Sequence, residues 1–444
     1  MPQTYQPATL AVHADDKLNE YVKLGIHQLI EVLTHSYSRS ADVAPALHTS
    51  TTFRYPSNPA QLNPIHDEKV FESADLSKAP THIYSRLTAP NATRLEQILA
   101  TLLHGPVVSY GSGLSAFHAL LTYLNPKVVA IGQGEKGGYH GCHGVLGIYK
   151  RLTGCKVVDM YGGDEEWDAA GLGEGDVVHM ETPLNPSGVA YNIEAMAERA
   201  HKRGAILTVD ATFGPPPLQD PFACGADAIM HSGTKYIGGH SDMLCGVLAI
   251  NPEGEQKRKT EGKQIWWTGL MTDRVFLGSV MGSMEGWLGV RSLRTLELRV
   301  LRQSSNATEI ARWLDARLRE TGVAADTEKA QDEGDAVRRT VANVTHASLQ
   351  KDDMEWIKKQ MPGGFGPVFS ITLQSAELAK KLPSKLHLFH HATSLGGVES
   401  LIEWRKMSDP SVDERLVRIS VGVENVEDLK ADLLQGFQAL VAEI

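Results

Sequence analysis

Short apolar runs alternate with amphipathic stretches along most of the chain, and this alternation predicts an α/β protein. Residues 177–181 and 206–209 are apolar and partly β-branched, so each run is typical of a strand buried on both faces. Between them, residues 193–203 carry apolar positions at helical spacing. This strand–helix–strand order indicates a mostly parallel central sheet covered by helices.

The pattern changes toward the C-terminus, where residues 282–322 predict long helical structure. We expect a large domain over residues 81–289 and a smaller α/β domain over residues 290–444. Residues 1–80 are interpreted as an N-terminal arm, in which apolar positions near residues 16–40 predict an inserted amphipathic helix. The last helix carries apolar residues at helical spacing that we expect in the core: Val426, Leu429, Leu433, Phe437, Leu440 and Ile444.

The 444 residues are 42% hydrophobic and 22% charged, which is ordinary for a globular protein with a sizeable core. A formal net charge of −10 argues against nucleic acid or an anionic membrane surface as a partner. No stretch is long and apolar enough to span a bilayer, and the N-terminus lacks a secretory signal pattern. The four cysteines have neither disulfide nor metal spacing, so we expect reduced thiols and a cytoplasmic protein.

Residues 206–248 bring an acid and an amine to the ends of two strands. Asp210 follows the first apolar run, and a second run, residues 226–231, stops at the string SGTK, which ends at Lys235. Ligands of open α/β sheets bind beyond the carboxyl ends of the strands. We therefore expect Asp210 and Lys235 to face the same crevice.

The neighbours of Lys235 indicate a cofactor. A lysine by itself is ordinarily a solvated surface group. Here Ser232 and Thr234 offer hydroxyl and N–H groups to an anion, and Asp210 supplies a fixed negative charge. A lysine amine can form a Schiff base, and a buried acid can keep a heterocyclic nitrogen protonated. Amine, acid and anion site together indicate pyridoxal 5'-phosphate.

A second candidate anion site precedes a predicted helix. Residues 107–110 predict a strand, which the string GSG connects to a helix-like stretch whose first N–H groups could bind an anion. Gly111, Gly113 and Ala116 also satisfy the G-x-G-x-x-G/A dinucleotide fingerprint, so an NAD-dependent dehydrogenase stays an alternative. That alternative needs an acid at the end of the next strand, where Glu135 arrives late, and it leaves Lys235 unexplained.

The strings VDATFGPP and HSGTKYIGGHSDMLCGVL resemble the cofactor-binding core of the Cys/Met-metabolism enzymes that use pyridoxal phosphate. This group contains cystathionine γ-synthase, the cystathionine lyases and methionine γ-lyase. The resemblance extends from about Val43 to the C-terminus and implies the aspartate aminotransferase-like fold type I. It implies that Lys235 carries the cofactor, that Asp210 pairs with its ring nitrogen, and that the substrate is a small amino acid.

The resemblance implies further roles. Tyr84 and Arg86 match the family's YSR motif, which reaches into a neighbouring subunit to hold the phosphate, so a homo-oligomer, as a dimer of dimers, is implied. Tyr139 matches a catalytic tyrosine that stacks on the cofactor, although this string reads YHGCH. Glu181 is interpreted as support. The implied cofactor-binding residues are Tyr84, Arg86, Ser112, Gly113, Leu114, Tyr139, Asn185, Asp210, Thr212, Ser232, Thr234 and Lys235.

On the substrate side, Ser394, Leu395 and Arg418 match the positions that bind the substrate's α-carboxylate, with Arg418 as the clamp. The string SLGG favours the γ class, so we expect elimination or replacement on an O-activated L-homoserine. Cystathionine γ-synthase or a cystathionine or methionine lyase is an alternative, as is a catalytically inactive scaffold. His390, His391 and Glu399 could suggest a metal site, but we assign no metal.

The identity of the nucleophile depends on two departures from the family. Thr393 stands where enzymes that make or cleave cystathionine tend to carry a glutamate, and a hydroxyl attracts a distant ammonium group less than a carboxylate does. His140, Cys142 and His143 are expected to surround the path of the nucleophile, where a histidine could act as a base. We therefore expect a small thiol or a stabilised carbon acid rather than L-cysteine.

Overall fold

The apolar runs form two β-sheets in the computed structural model, which describes residues 6–13, 43–55, 57–62, 82–319 and 328–443. The helix expected near residues 16–40 lies outside these described residues. The larger sheet has the strands β1 (Val107–Tyr110), β2 (Val128–Ile131), β3 (Lys156–Asp159), β4 (Val177–Glu181), β5 (Ile206–Asp210), β6 (Ala228–Ser232) and β7 (Gly246–Ile250).

The order of the larger sheet is β1-β7-β6-β5-β4-β2-β3. Strands β2 to β6 pair in parallel, whereas β7 runs antiparallel to both β1 and β6. The mostly parallel α/β sheet expected from the sequence is therefore confirmed. The strand predicted at residues 226–231 begins only at Ala228. Its first residues belong to a turn, in which Gly225 has φ 93° and the Ala226 N–H donates to the Pro221 carbonyl.

Helices cover both faces of this sheet. Alternation along β5 sends Leu207 and Val209 into the hydrophobic cluster on one face, while Ile206 packs against the cluster on the other face. The predicted helix at residues 193–203 ends at His201, because the chain turns at Gly204, which has φ 72°. The helices are α1 (Pro7–His13), α2 (Pro90–Leu102), α3 (Gly113–Leu124), α4 (His140–Thr153), α5 (Asp164–Ala170), α6 (Ile193–His201), α7 (Pro252–Thr260), α8 (Trp266–Leu277) and α9 (Ser283–Leu293).

The smaller sheet follows, in the order β10-β11-β12-β9-β8. Its strands are β8 (Val341–Thr345), β9 (Val368–Leu373), β10 (His390–His391), β11 (Leu401–Trp404) and β12 (Leu416–Ser420). The helices around it are α10 (Leu296–Arg319), α11 (Glu328–Thr340), α12 (Met354–Gln360), α13 (Ala376–Lys381) and α14 (Val426–Val441). Of the core positions predicted in the last helix, Leu429, Leu433, Phe437 and Leu440 are fully buried and Val426 is half-buried against them, while Ile444 lies outside the described residues.

Helix α10 joins the two hydrophobic cores. Leu296 and Val300 belong to the cluster under the larger sheet, and Ala307 and Leu314 belong to the cluster under the smaller one. The domain boundary expected near Gly289 falls inside α9, the helix that precedes α10. The division into domains stays a prediction. Among the helices that the structure describes, none combines the length and the apolar character needed to cross a bilayer.

A buried ion pair fixes the end of β1, from which the glycine loop at residues 111–113 departs. The Arg274 guanidinium donates to Glu96 Oε1 at 2.6 Å and to the Ser109 carbonyl at 2.9 Å. The same Glu96 oxygen accepts from the Ser109 N–H (2.9 Å) and hydroxyl (2.6 Å). Both charged side chains are almost wholly buried. The position of the loop therefore depends on a carboxylate below the strand.

We predict that Glu96→Ala lowers the free energy of unfolding by about 3 kcal/mol, because it leaves the Arg274 charge buried without its partner. Denaturant unfolding measures the change. The matched control is Glu194→Ala, which removes an exposed ion pair with Lys359 and is expected to cost less than about 1 kcal/mol. Equal losses in the two variants would contradict a structural role for the buried pair.

Candidate active site

A cavity of about 390 Å3 lies beyond the carboxyl ends of β4, β5 and β6 and is closed on its far side by residues of the smaller sheet. The structure brings most of the sequence-predicted site residues to its wall. These residues are Ser112, Gly113, Leu114, Tyr139, Asn185, Asp210, Thr212, Ser232, Thr234, Lys235, Ser394, Leu395 and Arg418. The crevice expected for Asp210 and Lys235 is therefore present.

Lys235 lies in the turn after β6, with its Nζ in the cavity. Nζ donates to the Ser394 hydroxyl at 2.6 Å, so an amine from the larger sheet contacts a residue of the smaller part. Burial lowers the pKa of this amine to about 8, the Arg418 charge adds to the shift, and Glu403 opposes it. A substantial fraction of the amine is therefore neutral, and hence nucleophilic, near neutral pH.

Asp210 ends β5 with its carboxylate buried in the floor of the cavity. Its Oδ1 accepts from the Thr212 N–H (3.0 Å) and hydroxyl (2.5 Å). Among the residues that the structure describes, none donates to Oδ2. Burial raises the pKa of Asp210, against the two hydrogen bonds from Thr212. A cationic ring nitrogen opposite Oδ2 would favour the ionised carboxylate, which is the arrangement expected for a pyridoxal ring.

Glu181 anchors two other predicted site residues. It ends β4, directly beside Asp210 in the strand register. Its two oxygens accept from the backbone N–H groups of Tyr139 (2.7 Å) and Asn185 (2.6 Å). Burial, followed by the adjacent Asp210 charge, raises the pKa of Glu181 to about 8. Its interpretation as a supporting residue therefore agrees with its contacts.

The two candidate anion sites are adjacent. Ser112 caps the N-terminus of α3, and its hydroxyl accepts from the Ser115 N–H. A β-carbon on Gly113 would lie 3.0 Å from the Ser232 β-carbon, so the glycine lets the loop approach the end of β6. The Thr212 hydroxyl accepts from the Ser232 N–H at 2.9 Å, which connects this corner to Asp210. Helix terminus, hydroxyls, acid and amine together fit pyridoxal phosphate.

Thr234 contributes less to the anion site than expected. It lines the cavity, but its hydroxyl accepts from the Cys245 N–H at 3.0 Å and lies 3.3 Å from the carbonyl of the same residue. Tyr84 and Arg86 do not line the cavity of their own chain: Tyr84 is 41% exposed, and the Arg86 guanidinium lies over its ring. Their role in a neighbouring subunit stays a prediction.

Of the three residues expected around the path of the nucleophile, only His140 lines the cavity. Helix α4 begins at this residue, so Cys142 faces the core and is buried. The His143 side chain lies 2.7 Å from the Gly137 carbonyl. The prediction is therefore wrong for Cys142 and His143, because neither lines the cavity: the Cys142 thiol is buried behind its wall, within 4.8 Å of the Asp210 carboxylate, and the His143 ring lies at the Gly137 carbonyl. Thr393, the other departure from the family, does line it.

Arg418 lies in β12 and is held on three sides. Its guanidinium donates to Asn185 Oδ1 (3.1 Å), to the Ser394 carbonyl (2.8 Å) and to Glu403 Oε2 (2.6 Å). Ser394 has φ 82° and Gly396 has φ 89°, so this loop turns tightly across Lys235. Burial lowers the pKa of Arg418 to about 10, which leaves it charged. The arrangement is suited to hold a carboxylate near the lysine amine.

Sequence reasoning missed Arg405 and its partner Glu403. Arg405 lines the cavity and donates to Glu403 Oε2 at 2.7 Å, so one carboxylate oxygen serves two guanidinium groups. Glu403 pairs with Arg418 in the β11–β12 register. The sequence did offer a signal for this pair. Glu403 and Arg405 are two positions apart at the end of a strand-like run, a spacing that places both side chains on one face.

His390, His391 and Glu399, which could suggest a metal site but were assigned none, do not form a close donor group among the residues that the structure describes. Among the described residues, the donor group close enough to hold an ion consists of Cys142, His179 and Asp210, within 4.8 Å of one another. His179 lies 2.9 Å from the Thr208 hydroxyl, and burial lowers its pKa to about 3. Because Asp210 is the residue that fits the cofactor nitrogen, we assign no metal to this group.

Comparison with known proteins identifies the family. A sequence model of the family described as "Cys/Met metabolism PLP-dependent enzyme" matches residues 28–438. The chain belongs to this family. It is 30% identical to the cystathionine β-lyase of Lactococcus lactis subsp. cremoris, covering 84% of this chain and 93% of the relative. It is 31% identical to the cystathionine γ-synthase of Escherichia coli, covering 85% and 92%.

The fold is similar to that of metB from Corynebacterium glutamicum, with a TM-score of 0.76, 29% identity, and coverage of 99% of this chain and 100% of that one. The protein is thus a pyridoxal-phosphate-dependent enzyme of fold type I that acts on amino acids by elimination or replacement. The residue roles expected from the resemblance are consistent with the geometry at Lys235, Asp210 and Arg418, and their assignment stays a proposal.

We predict that pyridoxal phosphate attaches to Lys235, and that attachment to the cofactor-free enzyme accelerates as the pH rises toward about 8 and then levels off. The neutral amine is the reactive form, and burial lowers its pKa to about 8. Borohydride reduction followed by peptide mapping locates the attachment, and absorbance against pH gives the profile. Lys235→Ala should bind the cofactor without fixing it, whereas a profile rising to about pH 10 would contradict the lowered pKa.

Proposed function

We propose that the enzyme catalyses γ-elimination or γ-replacement on an O-activated L-homoserine, of the acetyl or succinyl type, and adds a thiol or carbon nucleophile at Cγ. The observation that carries this proposal is the contact of Lys235 Nζ with Ser394, beside the guanidinium of Arg418. An α-carboxylate bound by Arg418 would place the α-carbon within reach of the lysine. Leu395, in the SLGG string that favours the γ class, completes this wall.

The proposed roles follow from position. Pyridoxal phosphate, when bound, supplies an electron sink for negative charge at the α-carbon. Asp210 would hold the ring nitrogen in its protonated form, and Asn185 would donate a hydrogen bond to the ring oxygen. Lys235 takes the α-proton and then moves a proton at Cβ. Tyr139 lines the same cavity and assists proton movement near the leaving group.

The overall replacement balances simply. The bond from Cγ to the acyloxy oxygen breaks, and the acyl group leaves as a carboxylate. With a thiol as nucleophile, sulfur forms the new bond to Cγ and the thiol proton is released. His140, at the cavity wall with Nδ1 4.0 Å from Asp409 Oδ2, is positioned to accept that proton.

Cystathionine γ-synthase and cystathionine or methionine lyase remain the alternatives within the family. The chain is similar both to a β-lyase and to a γ-synthase, so the comparisons support elimination as well as replacement. Thr393 supports the proposal against the activities that make or cleave cystathionine, because this cavity wall offers a hydroxyl where the distal ammonium group of cystathionine would be paired with a carboxylate. A catalytically inactive scaffold would bind the cofactor without turnover. A dehydrogenase would leave both Lys235 and Asp210 without a role.

We also propose a homo-oligomer with shared active sites, as a dimer of dimers. Leu244 supports sharing, since it lines the cavity and yet is 61% exposed in the single chain. Tyr84 and Arg86 likewise lie outside their own cavity. For the compartment we propose the cytosol, a reducing environment that suits the free thiols of Cys142, Cys155, Cys224 and Cys245.

We predict that L-cysteine is a poor acceptor for an activated homoserine and that a small thiol without an amino-acid headgroup reacts faster. Thr393→Glu should raise kcat/KM for cysteine by about 10-fold, because a carboxylate attracts the cysteine ammonium group in a partly desolvated site. Thr393→Gln, similar in size but neutral, is the matched control. Competition assays with product quantification decide, and dominant cystathionine formation by the unmodified enzyme would refute the prediction.

We predict that Arg86→Ala and Lys235→Ala are each inactive alone but complement one another. After random subunit exchange, half of the dimers are mixed, and each has one site with both native residues, so about a quarter of native activity returns. Exchange is followed with differently tagged chains. Exchange without recovered activity would show that the two residues do not share a site.

A further inference from the structure

A second guanidinium faces the cavity in addition to the proposed α-carboxylate clamp. Arg405 is 3% exposed, and its Nη1 donates to Glu403 Oε2 at 2.7 Å. Its Nε is buried without a hydrogen-bond partner among the residues that the structure describes. A buried, unpaired N–H of a charged group is costly. Because the Arg405 side chain lines the cavity, a ligand acceptor there would pair with the guanidinium and offset part of that cost.

Arg405 and Arg418 are bound differently. Arg418 is fixed by Asn185, Ser394 and Glu403, and Ser394 also accepts from the Lys235 amine. Arg405 has Glu403 as its side-chain partner in the described chain. Its backbone is nevertheless rigidly placed, since its carbonyl accepts from the N–H groups of Ser408 and Asp409. Arg405 is therefore a preorganised cation with unused donors.

The charged groups joined at Glu403 carry one more positive than negative charge. Arg405 and Arg418 share the single carboxylate of Glu403, so the three groups carry a net charge of about +1. A zwitterionic amino acid brings one carboxylate and one ammonium group and leaves this balance unchanged. An additional carboxylate would neutralise it, and the planar fork of arginine is suited to such a group.

Arg405 also lies toward the reacting end of the cavity. Burial raises the pKa of the Tyr139 hydroxyl, and the charges of Arg405 and Arg418 oppose that shift, so both cations act on this tyrosine. The Arg405 carbonyl accepts a hydrogen bond from the Asp409 N–H, and the Asp409 carboxylate lies 4.0 Å from the His140 ring. A ligand group on Arg405 would thus lie beside the residues proposed to act on the leaving group and the nucleophile.

We propose that Arg405 binds a second carboxylate, distinct from the α-carboxylate on Arg418, and so selects a reactant that carries one. The carboxylate has two possible sources: a dicarboxylic acyl group on the homoserine, or the nucleophile itself. This inference deepens the proposed function and rests on it.

The test compares O-acetyl- with O-succinyl-L-homoserine, each with mercaptoacetate or with the neutral 2-mercaptoethanol. One arm of the test varies the acyl group, acetyl against succinyl, and the other arm varies the thiol, neutral against carboxylated. In one of these arms the native enzyme should prefer the reactant with the extra carboxylate by about 10- to 100-fold in kcat/KM, the effect of one charge-assisted contact. Arg405→Gln should remove that preference, because its kcat/KM should fall further for the carboxylated pair than for the neutral pair, and Arg405→Lys should retain part of the preference. Arg415→Gln, an exposed arginine, is the control.

The arm that loses its preference identifies the source, either the acyl group or the thiol. A second readout is independent of turnover: calorimetric binding of L-glutamate against L-glutamine to the cofactor-loaded enzyme, with glutamate favoured about 10-fold through Arg405. If no homoserine ester reacts but this advantage persists, the proposed function fails and the second carboxylate site stands. The inference would be overturned if neither the kinetics nor the calorimetry showed a preference that depends on Arg405. It would also be overturned if Arg405→Gln lowered kcat/KM equally for every substrate pair.

Discussion

Two acids lie side by side at the ends of neighbouring parallel strands, and the active site is built on the hydrogen bonds that they accept. Burial raises the pKa of both acids, and Glu181 accepts from the backbone N–H groups of Tyr139 and Asn185. Asp210 accepts both of its bonds from Thr212 on one oxygen, which leaves the other for a cationic partner. Because a buried carboxylate without donors is costly, each acid dictates the position of its loop. The cofactor residues are thus fixed before any ligand binds.

The other half of the site comes from the smaller sheet and is cationic. Glu403 joins Arg405 and Arg418, and Arg418 reaches across to Asn185 on the larger side. Lys235 makes the reverse crossing to Ser394. Helix α10 contributes to both hydrophobic cores, so these polar contacts lie between two parts that are also joined by apolar packing. The site depends on both sheets being in place.

Two departures from the family lie at the wall of the cavity where reactants would meet. Lys235 and Asp210 follow the family strings, as expected when the same cofactor must be held. His140 and Thr393, by contrast, stand at the wall where reactants meet, and both departed from the expected strings. Relatives that share about 30% identity bear the names of both a lyase and a synthase, so the fold alone does not select the reaction.

The sequence by itself determined the strands and the motif residues at their ends. Periods of two and 3.6 residues are local, and a parallel strand places the residue that follows it at one predictable edge, as for Asp210. It could not determine that helix α4 turns Cys142 into the core, or that Arg405 joins Arg418 around one carboxylate. Those facts depend on chain segments far apart in sequence being packed together. Only the tertiary structure decides such contacts, because burial and charge pairing are properties of the assembled neighbourhood rather than of any local pattern.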